Sequence, residues 1–271
     1  MVRSLWSAAS GMIAQQNNVD TIANNLANVN TVGYKTEVAE FKSLLYQNIQ
    51  SKTTSANGAD KPVSAQVGLG VRNSSVTSIF DQGTFQDSSS DTAFAIDGSG
   101  FFAVKGEDGS TYYTRNGNFV LAQGTNGLTL STTDGLPVLD STGKTITFPS
   151  TISSGSLTVS GDGTFNYPDA KGNAASLGIT IGTFQFTNPS GLEKTDSSLY
   201  KVTAASGTAM NETTSTNLKK STINQGYLEG SNVQVADEMV NLIVAQRAYE
   251  MNSKAIQASD EMMQQANQLR G

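Results

Sequence analysis

Two series of apolar residues spaced about seven positions apart, one at each end of the chain, constrain its fold more than any other feature. The first series consists of Leu5, Met12, Val19 and Leu26, with Ile22 at an intervening position on the same side. The second series consists of Val235, Leu242, Tyr249, Ile256 and Met263, with Met239 on a neighbouring turn. This spacing places each series on one face of an α-helix, over residues 4–28 and from the segment 231–234 to residue 270. Each predicted helix therefore carries one apolar seam.

A long helix with a single seam buries too little surface to be stable alone. The simplest arrangement pairs the two seams within one chain, which brings both chain ends together and lets the middle project sideways. The first helix is also almost uncharged, because Asp20 is the only charged residue between Arg3 and Lys35. Such a neutral surface is typical of a helix packed among many others or facing a channel, and an amide-rich solvated helix is the alternative.

Polar residues mark where the two helices end and begin. Asn24, Asn25 and Asn28, followed by Gly33, predict the end of the first helix, because Asn and Gly accept the left-handed backbone conformation. Ser231 and Gln234 form a capping-box pattern, in which each side chain satisfies an amide at the helix entrance. This pattern predicts the start of the second helix.

The residues between the two seams have a different composition. All five prolines and most of the glycines lie between residues 50 and 225. Alternating residues at 145–148, 157–159 and 179–186, with Asp-Gly and Asn-Gly dipeptides nearby, predict antiparallel strands joined by tight turns. The expected fold class is α+β, with long N- and C-terminal helices paired as a coiled-coil-like domain and a central antiparallel β-rich domain.

These changes divide the chain into four segments. Residues 1–46 form the N-terminal helix and turn of a helical core domain, and residues 226–271 form the C-terminal helix of that domain. Residues 71–225 form the central β-rich outer domain. Residues 47–70 form an extended polar arm, because the chain from 51 to 65 contains almost no side chain that needs burial.

The composition excludes most common enzyme chemistry. Histidine and cysteine are both absent, which removes histidine-dependent and thiol catalysis, the usual zinc ligands, iron-sulfur clusters and disulfides. The formal net charge of -6 provides no field to hold a nucleic acid. No apolar run approaches the roughly 18 residues of a membrane-spanning helix. We therefore predict no catalytic, cofactor-binding or metal-binding residues, no nucleic-acid partner and no membrane insertion.

Two motifs resemble ligand sites but fit ordinary turns better. The segment 98–103 has the G-x-G-x-x-A spacing of a dinucleotide site, yet an apolar strand pattern follows it where that site requires a helix. The segment 162–166 resembles the start of a calcium loop, but Tyr167 stands where the loop needs glycine. Both segments are predicted to be β-turns, so no cofactor is expected.

Both ends of the chain resemble known signatures. Residues 10–12, 22–31 and 33–35 resemble the N-terminal signature of bacterial flagellar rod and hook proteins. Residues 231–233, 238–240 and 246–255 resemble the C-terminal signature of the same family, and residues 95–102 add a match in the middle. The signature positions are Asn24, Asn25, Leu26, Ala27, Asn28, Gly33, Gln246, Arg247, Ala248 and Tyr249. Two separated signatures in the same order make coincidence an inadequate explanation.

The resemblance implies a non-enzymatic structural subunit of the flagellar basal body. Within the family, residues 3–6, the chain length and residues 227–229 look most like distal-rod members, with proximal-rod and hook-type subunits as the alternative. The resemblance implies export through the flagellar secretion apparatus without a cleaved signal peptide. It also implies helical polymerisation of the chain with itself, around the export channel and along the path from periplasm to outer membrane. Neighbouring proximal-rod and hook subunits and the peptidoglycan and outer-membrane bushing rings would be its partners.

Alternatives remain for the role of the polar arm and for the function of the whole chain. The segment 47–70 looks like a distal-rod insertion that stiffens the rod, although a passive linker is the alternative. The Gly/Thr-rich centre also fits a surface binding module with helical stalks. A hydrolase that uses only Asp and Glu, as in glycoside cleavage, would require two carboxylates in one cleft.

Overall fold

The computed structural model describes residues 2–50, 65–124, 127–150, 152, 154–168, 174–195, 198–215 and 218–269. These residues form two α-helices, α1 (Val2–Ala27) and α2 (Val235–Gln268), and two short 3₁₀ helices, Ser154–Ser156 and Pro189–Gly191. The remaining regular structure consists of strands. The strands are β1 (Glu37–Ser43), β2 (Tyr46–Gln50), β3 (Ala65–Gly68), β4 (Val71–Ser78), β5 (Phe85–Asp87), β6 (Phe94–Asp97), β7 (Phe101–Lys105), β8 (Thr111–Thr114), β9 (Phe119–Gly124), β10 (Gly127–Thr132), β11 (Thr147–Phe148), β12 (Thr158–Val159), β13 (Thr164–Pro168), β14 (Ala174–Thr180), β15 (Thr183–Gln185), β16 (Glu193–Lys194), β17 (Leu199–Lys201), β18 (Met210–Asn211), β19 (Thr222–Gln225) and β20 (Tyr227–Glu229).

This element order confirms the predicted α+β class, with a helix near each end and antiparallel strands between them. The chain forms two compact units, and each is built from separate stretches of sequence. Unit 1 comprises Met1–Ala27, Glu37–Ser78 and Gln234–Gly271. Unit 2 comprises Asn28–Thr36 and Ile79–Val233.

Unit 1 contains both helices and two antiparallel strand pairs. Strand β1 pairs with β4, and the register shifts once between Glu40 and Phe41. Strand β2 pairs with β3, so both ends of the polar arm lie in one two-stranded ladder. Residues 71–78 are predicted to belong to the central β-rich domain, whereas in the structure they form β4, which pairs with β1 in unit 1. The functional division into domains stays a prediction.

Unit 2 is antiparallel throughout its described ladders. Its largest sheet has the strand order β16-β17-β8-β7-β15-β18, and two three-stranded sheets have the orders β11-β10-β9 and β12-β13-β14. Tight turns join several of these strands, as predicted. Asp108-Gly109 lies between the paired strands β7 and β8, and Asp162-Gly163 lies between β12 and β13. The segment after Gly98 continues directly into strand β7, which agrees with a turn in place of a dinucleotide site.

The core of unit 2 is built from aromatic residues on both faces of β7. Successive side chains of a strand point to opposite faces, so Phe102 joins one buried cluster and Phe101 joins another. Phe102 packs edge to face on Phe119, with ring centroids 5.1 Å apart, while Phe101 packs on Phe186 at 5.5 Å. Strand β7 is therefore buried on both sides, which explains its continuous apolar sequence.

The predicted capping box of the second helix is wrong. Helix α2 begins at Val235, and the residue before it, Gln234, makes no capping hydrogen bond with its side chain. Ser231 instead accepts a hydrogen bond from the Val233 amide at 3.3 Å. The acidic residues Asp237 and Glu238 do lie in the first turn, where a negative charge interacts favourably with the helix dipole. Within the described residues, no helix is long and apolar enough to cross a bilayer.

Candidate assembly surface

Helices α1 and α2 lie side by side in opposite directions. The Ser4 and Ser259 hydroxyls are 3.4 Å apart near one end of the pair. Further along, Gly11 faces Asn252, and a Cβ atom at Gly11 would lie 2.8 Å from the Asn252 amide nitrogen. Glycine at this position therefore leaves room for the Asn252 side chain between the two helices. The two helices pair within the chain. The association of the predicted seams with each other and the supercoil of a coiled coil stay predictions.

The predicted seam residues lie at three levels of burial. Ile22 is buried, and three others are exposed, namely Val235, Met239 and Tyr249. The half-buried members are Leu5, Met12, Val19, Leu26, Leu242, Ile256 and Met263. The buried residues of α2 are Glu238, Ala245 and Ser259. Met239 follows buried Glu238, so its side chain points about 100° away from that face of the helix.

A second apolar stripe of α2 is exposed. It consists of Val240, Val244, Met251, Met262 and Leu269. The intervals between these residues are close to whole numbers of helical turns, so their side chains share one side of the helix. The predicted seams do not include this stripe, whose intervals of four, seven and eleven residues do not form one continuous seven-residue series.

The outward face of α1 is also apolar. Trp6 and Ile13 are 70 and 62% exposed and lie seven residues apart on the same side of the helix. A separate groove lies between the helices, with a volume of about 400 Å³. Its lining consists of Gln16, Val19, Gln246, Tyr249 and Glu250. Unit 1 therefore has an exposed apolar face on α1 and an apolar groove between the helices, with amide side chains in its lining.

The signature residue Asn25 fastens the last turn of α1 to strand β1. Its side-chain nitrogen donates to the Glu37 carbonyl at 2.8 Å, and its oxygen accepts from the Glu37 amide at 2.9 Å. The amide group of Asn25 therefore pairs with Glu37 as a neighbouring strand would. The adjacent Asn24 donates to the Glu37 carboxylate at 3.2 Å. These contacts explain an Asn pair at the end of this helix.

In unit 2, the signature residue Gly33 occupies a position that only glycine fits. Its φ angle is +70°, and a Cβ atom there would lie 2.7 Å from the Asn116 nitrogen. Its amide donates to the Glu229 carbonyl at 2.8 Å. The turn after α1 is therefore tied to the strand β20, near the far end of the chain.

A buried ion cluster lies beside this turn. The Lys35 ammonium is 2.7 Å from Glu229 Oε1, and Arg115 Nη1 is 3.3 Å from Glu229 Oε2. Lys35 and Glu229 are fully buried and Arg115 is 2% exposed, so two cations share one carboxylate out of contact with water. Burial lowers the pKa of Lys35 and that of Arg115, and the Glu229 charge opposes both shifts.

The same cluster connects three separate segments of unit 2. Lys35 also donates to the Asp81 carbonyl at 2.7 Å, and the Gly83 amide donates to Glu229 at 3.0 Å. Asn232 accepts from the Thr36 amide at 2.7 Å and donates to the Ile79 carbonyl at 3.0 Å. Residues 33–36, 79–83 and 229–232 are thus held together next to the points where the chain passes into unit 1.

Two cavities each bring two acidic residues together, which is the arrangement that a carboxylate hydrolase requires. Glu37 and Glu238 line a cavity of about 230 Å³ in unit 1. Asp162 and Glu212 line a cavity of about 240 Å³ in unit 2. Glu212 accepts hydrogen bonds from Gln185 and from the amide and hydroxyl of Ser221, at 2.8–2.9 Å, so its oxygens support the local structure. The described residues contain no group of three or more acidic side chains suited to a metal ion.

Three family models match the chain in the order expected for flagellar rod and hook proteins. Residues 5–35 match "Flagella basal body rod protein". Residues 95–167 match "Flagellar hook protein FlgE/F/G D1 domain". Residues 224–269 match "Flagellar basal body rod FlgEFG protein C-terminal". The matches and the paired terminal helices define a chain of the flagellar rod and hook class.

Curated relatives extend this similarity over the full length. "Flagellar basal-body rod protein FlgG" of Borreliella burgdorferi is 43% identical over 272 residues, covering 100% of this chain and 99% of the relative. The protein of the same name in Bacillus subtilis is 38% identical and covers 98% of both chains. "Flagellar hook-basal body complex protein FlhP" of Bacillus subtilis is 32% identical and covers 100% of both. The chain belongs to the flagellar basal-body rod protein family.

Proposed function

We propose that this chain is a structural subunit of the flagellar distal rod, which polymerises helically with itself and encloses the export channel. The observation that carries the proposal is the apolar surface of the helix pair, which remains exposed after α1 and α2 have packed together. Exposed apolar stripes of this length are typical of a surface that another protein covers. The relatives named as basal-body rod proteins indicate which assembly covers it.

The two exposed surfaces of unit 1 differ from each other, which favours an open polymer. Trp6 and Ile13 form one surface on α1. The exposed apolar stripe of α2, from Val240 at one end to Leu269 at the other, forms the second surface. Contacts between unlike surfaces repeat without closing unless the rotation completes a ring. We therefore propose a helical filament, in which the rotation between neighbouring copies does not close a ring. The exposed seam residues Val235, Met239 and Tyr249 are proposed to contact neighbouring subunits, and the half-buried ones to hold the helix pair together.

The remaining parts of the proposal concern the surroundings of the rod. Its ends would contact proximal-rod and hook subunits, and its outer surface would pass through the peptidoglycan and outer-membrane rings. Subunits would arrive through the flagellar export apparatus, which places the finished rod between the periplasm and the outer membrane. Transmission of torque requires contacts and no catalysis, so we propose that the chain is not an enzyme.

The four segments receive roles in this polymer. Residues 1–46 and 226–271 would form the helical core of the rod, and residues 71–225 its outer domain. Residues 47–70 would form an arm that reaches neighbouring subunits along the filament. The stem of this arm is the ladder of β2 and β3. Residues 51–64, which the proposal places at the end of the arm, lie outside the described residues.

Deletion of residues 51–65 is expected to give rods that are more flexible and more curved than those of the parent chain. The arm would no longer lock subunits along the axis, while the helix pair and unit 2 keep their own contacts. Electron microscopy of the assembled rods measures the curvature. Replacement of the same residues by a Gly/Ser segment of equal length is the control for chain connectivity.

Straight and stiff rods from the deleted chain would identify the arm as a passive linker. Recovery of stiffness with the Gly/Ser replacement would give the same answer, because such a segment restores the length without the native contacts. Curved rods from both variants support the arm as an axial connection.

A further inference from the structure

Trp6 is the only tryptophan of the chain, and it lies on the outward face of α1. Tryptophan combines a large apolar ring with one N–H donor, so burial in a pocket that offers a hydrogen-bond acceptor stabilises it strongly. An exposed fraction of 70% is unusual for a tryptophan side chain, and the helix around it carries few charged residues. The position of Trp6 is therefore typical of a contact residue.

The groove between α1 and α2 has the properties that such a side chain requires. Val19 and Tyr249 provide an apolar lining, and the amides of Gln16 and Gln246 provide acceptors for an indole N–H. The groove volume of about 400 Å³ lies within the range of sites that bury small ligands. The groove is continuous with the seam between the two helices, because Val19 and Tyr249 belong to both.

Trp6 cannot enter the groove of its own chain. Trp6 and Val19 lie on the same α-helix, thirteen residues apart, and a helix rises by 1.5 Å per residue. The two side chains are therefore separated by roughly 20 Å along one rigid element. Only a Trp6 from a second copy reaches this groove, with that copy displaced along the helix axis.

Charge complementarity supports a second copy as the occupant. Arg3 is the only basic residue of α1 and lies one helical turn before Trp6, on the same side. Glu250 lines the groove and is exposed. Insertion of Trp6 therefore brings Arg3 within reach of a carboxylate at the groove rim. A contact between these unlike surfaces also leaves the pair of copies with one free groove at one end and one free Trp6 at the other.

We propose that Trp6 of one copy inserts into the groove formed by Gln16, Val19, Gln246 and Tyr249 of the next copy, while Arg3 pairs with Glu250. This contact rests on the proposed polymerisation and specifies one of its interfaces. It sets an axial offset of roughly 20 Å between neighbouring copies whose helices run parallel. The contact is heterologous and therefore propagates along a filament.

Acrylamide quenching of Trp6 fluorescence in the full-length chain tests the insertion. Because the chain has one tryptophan, the signal reports this side chain alone. The dispersed protein is expected to show ready quenching and emission typical of exposed indole. Polymer assembled from the same preparation is expected to show a several-fold loss of quenching and emission at shorter wavelength.

Charge reversal tests the pairing of Arg3 with Glu250. Arg3→Glu and Glu250→Arg are each expected to raise the concentration needed for assembly by roughly fivefold, and the double variant is expected to restore it. Arg3→Glu adds an acid to the first turn of α1, which favours the helix, so loss of folding does not explain its effect. Arg3→Glu combined with Glu261→Arg is the matched control, and no restoration is expected because Glu261 is exposed outside the groove lining.

The outcomes separate this inference from the proposed function. Polymers in which Trp6 remains freely quenched, or in which the double variant assembles no better than Arg3→Glu alone, would overturn the Trp6 contact and leave polymerisation intact. Failure of the unmodified chain to polymerise under any condition would contradict both. Protection of Trp6 together with restored assembly supports the contact.

Discussion

Glu229→Gln is expected to lower the free energy of unfolding of unit 2 by about 3–5 kcal/mol. The substitution keeps the shape of the side chain and removes the carboxylate that, among the described residues, contacts both Lys35 and Arg115. Two buried cations would then lie together without the carboxylate that contacts both, and unpaired buried charges are among the most destabilising changes in proteins. Urea denaturation followed by far-ultraviolet circular dichroism measures the effect.

Lys35→Met is the matched control for the ion cluster. Methionine replaces the ammonium with an apolar group of similar length and leaves Glu229 with Arg115 and the Gly83 amide. We expect a loss of about 1–2 kcal/mol, because one cation and one carboxylate remain paired. A larger loss for Lys35→Met than for Glu229→Gln would contradict the assignment of Glu229 as the shared counter-charge.

Because the pKa of Lys35 is lowered, the free energy of unfolding of the parent relative to Lys35→Met should change with pH in a predictable direction. Burial lowers the folded-state pKa of Lys35 below 10.5, so the unfolded chain holds that proton at pH values where the folded chain releases it. The free energy of unfolding of the parent should therefore rise relative to Lys35→Met as the pH increases toward 10.5. This gain in the free energy of unfolding is lost again as the pH falls through the folded-state pKa of Lys35.

Leu242→Asp and Tyr249→Asp are expected to abolish polymerisation while unit 2 stays folded. Leu242 is half-buried on α2 and Tyr249 lines the groove, so an aspartate at either position places a charge on an apolar contact surface. In the proposed polymer a neighbouring copy covers these side chains, and removing a large side chain from a site that is then fully buried costs about 2–5 kcal/mol. Sedimentation of assembled protein and a motility assay measure the effect.

Gln257→Asp is the control for these two variants. It adds the same charge to the same helix at an exposed residue outside the seam and the groove. We expect this variant to polymerise as the parent does and to support motility. Normal rods from Leu242→Asp or Tyr249→Asp would show that the predicted seam does not serve assembly.

The seven-residue spacing of apolar residues predicted both helices, because such a repeat can be recognised directly in the sequence. The helices α1 and α2 lie where Leu5 to Leu26 and Val235 to Met263 indicated. The same pattern did not reveal which side of α2 faces α1. Ser259 is buried there beside Ser4, and a small polar residue adds nothing to an apolar pattern.

The sequence pattern did not predict contacts between residues that are far apart along the chain. Lys35 and Glu229 are 194 residues apart, and neither has a local feature that indicates burial. Both residues stand in segments that resemble the family signatures, but resemblance assigns no contact. The capping box failed for a local reason, because helix α2 begins at Val235 and the Ser231 hydroxyl accepts a hydrogen bond from the Val233 amide, which lies before the helix.

Electron cryo-microscopy of the polymer formed by the full-length chain tests the central claim most directly. We expect an open helical tube in which α1 and α2 of each copy contact other copies, with Val244, Met251 and Met262 covered by a neighbouring chain. A closed ring, or particles no larger than a dimer under every assembly condition, would contradict the account. A filament in which the apolar stripe of α2 remains exposed to solvent would contradict it equally.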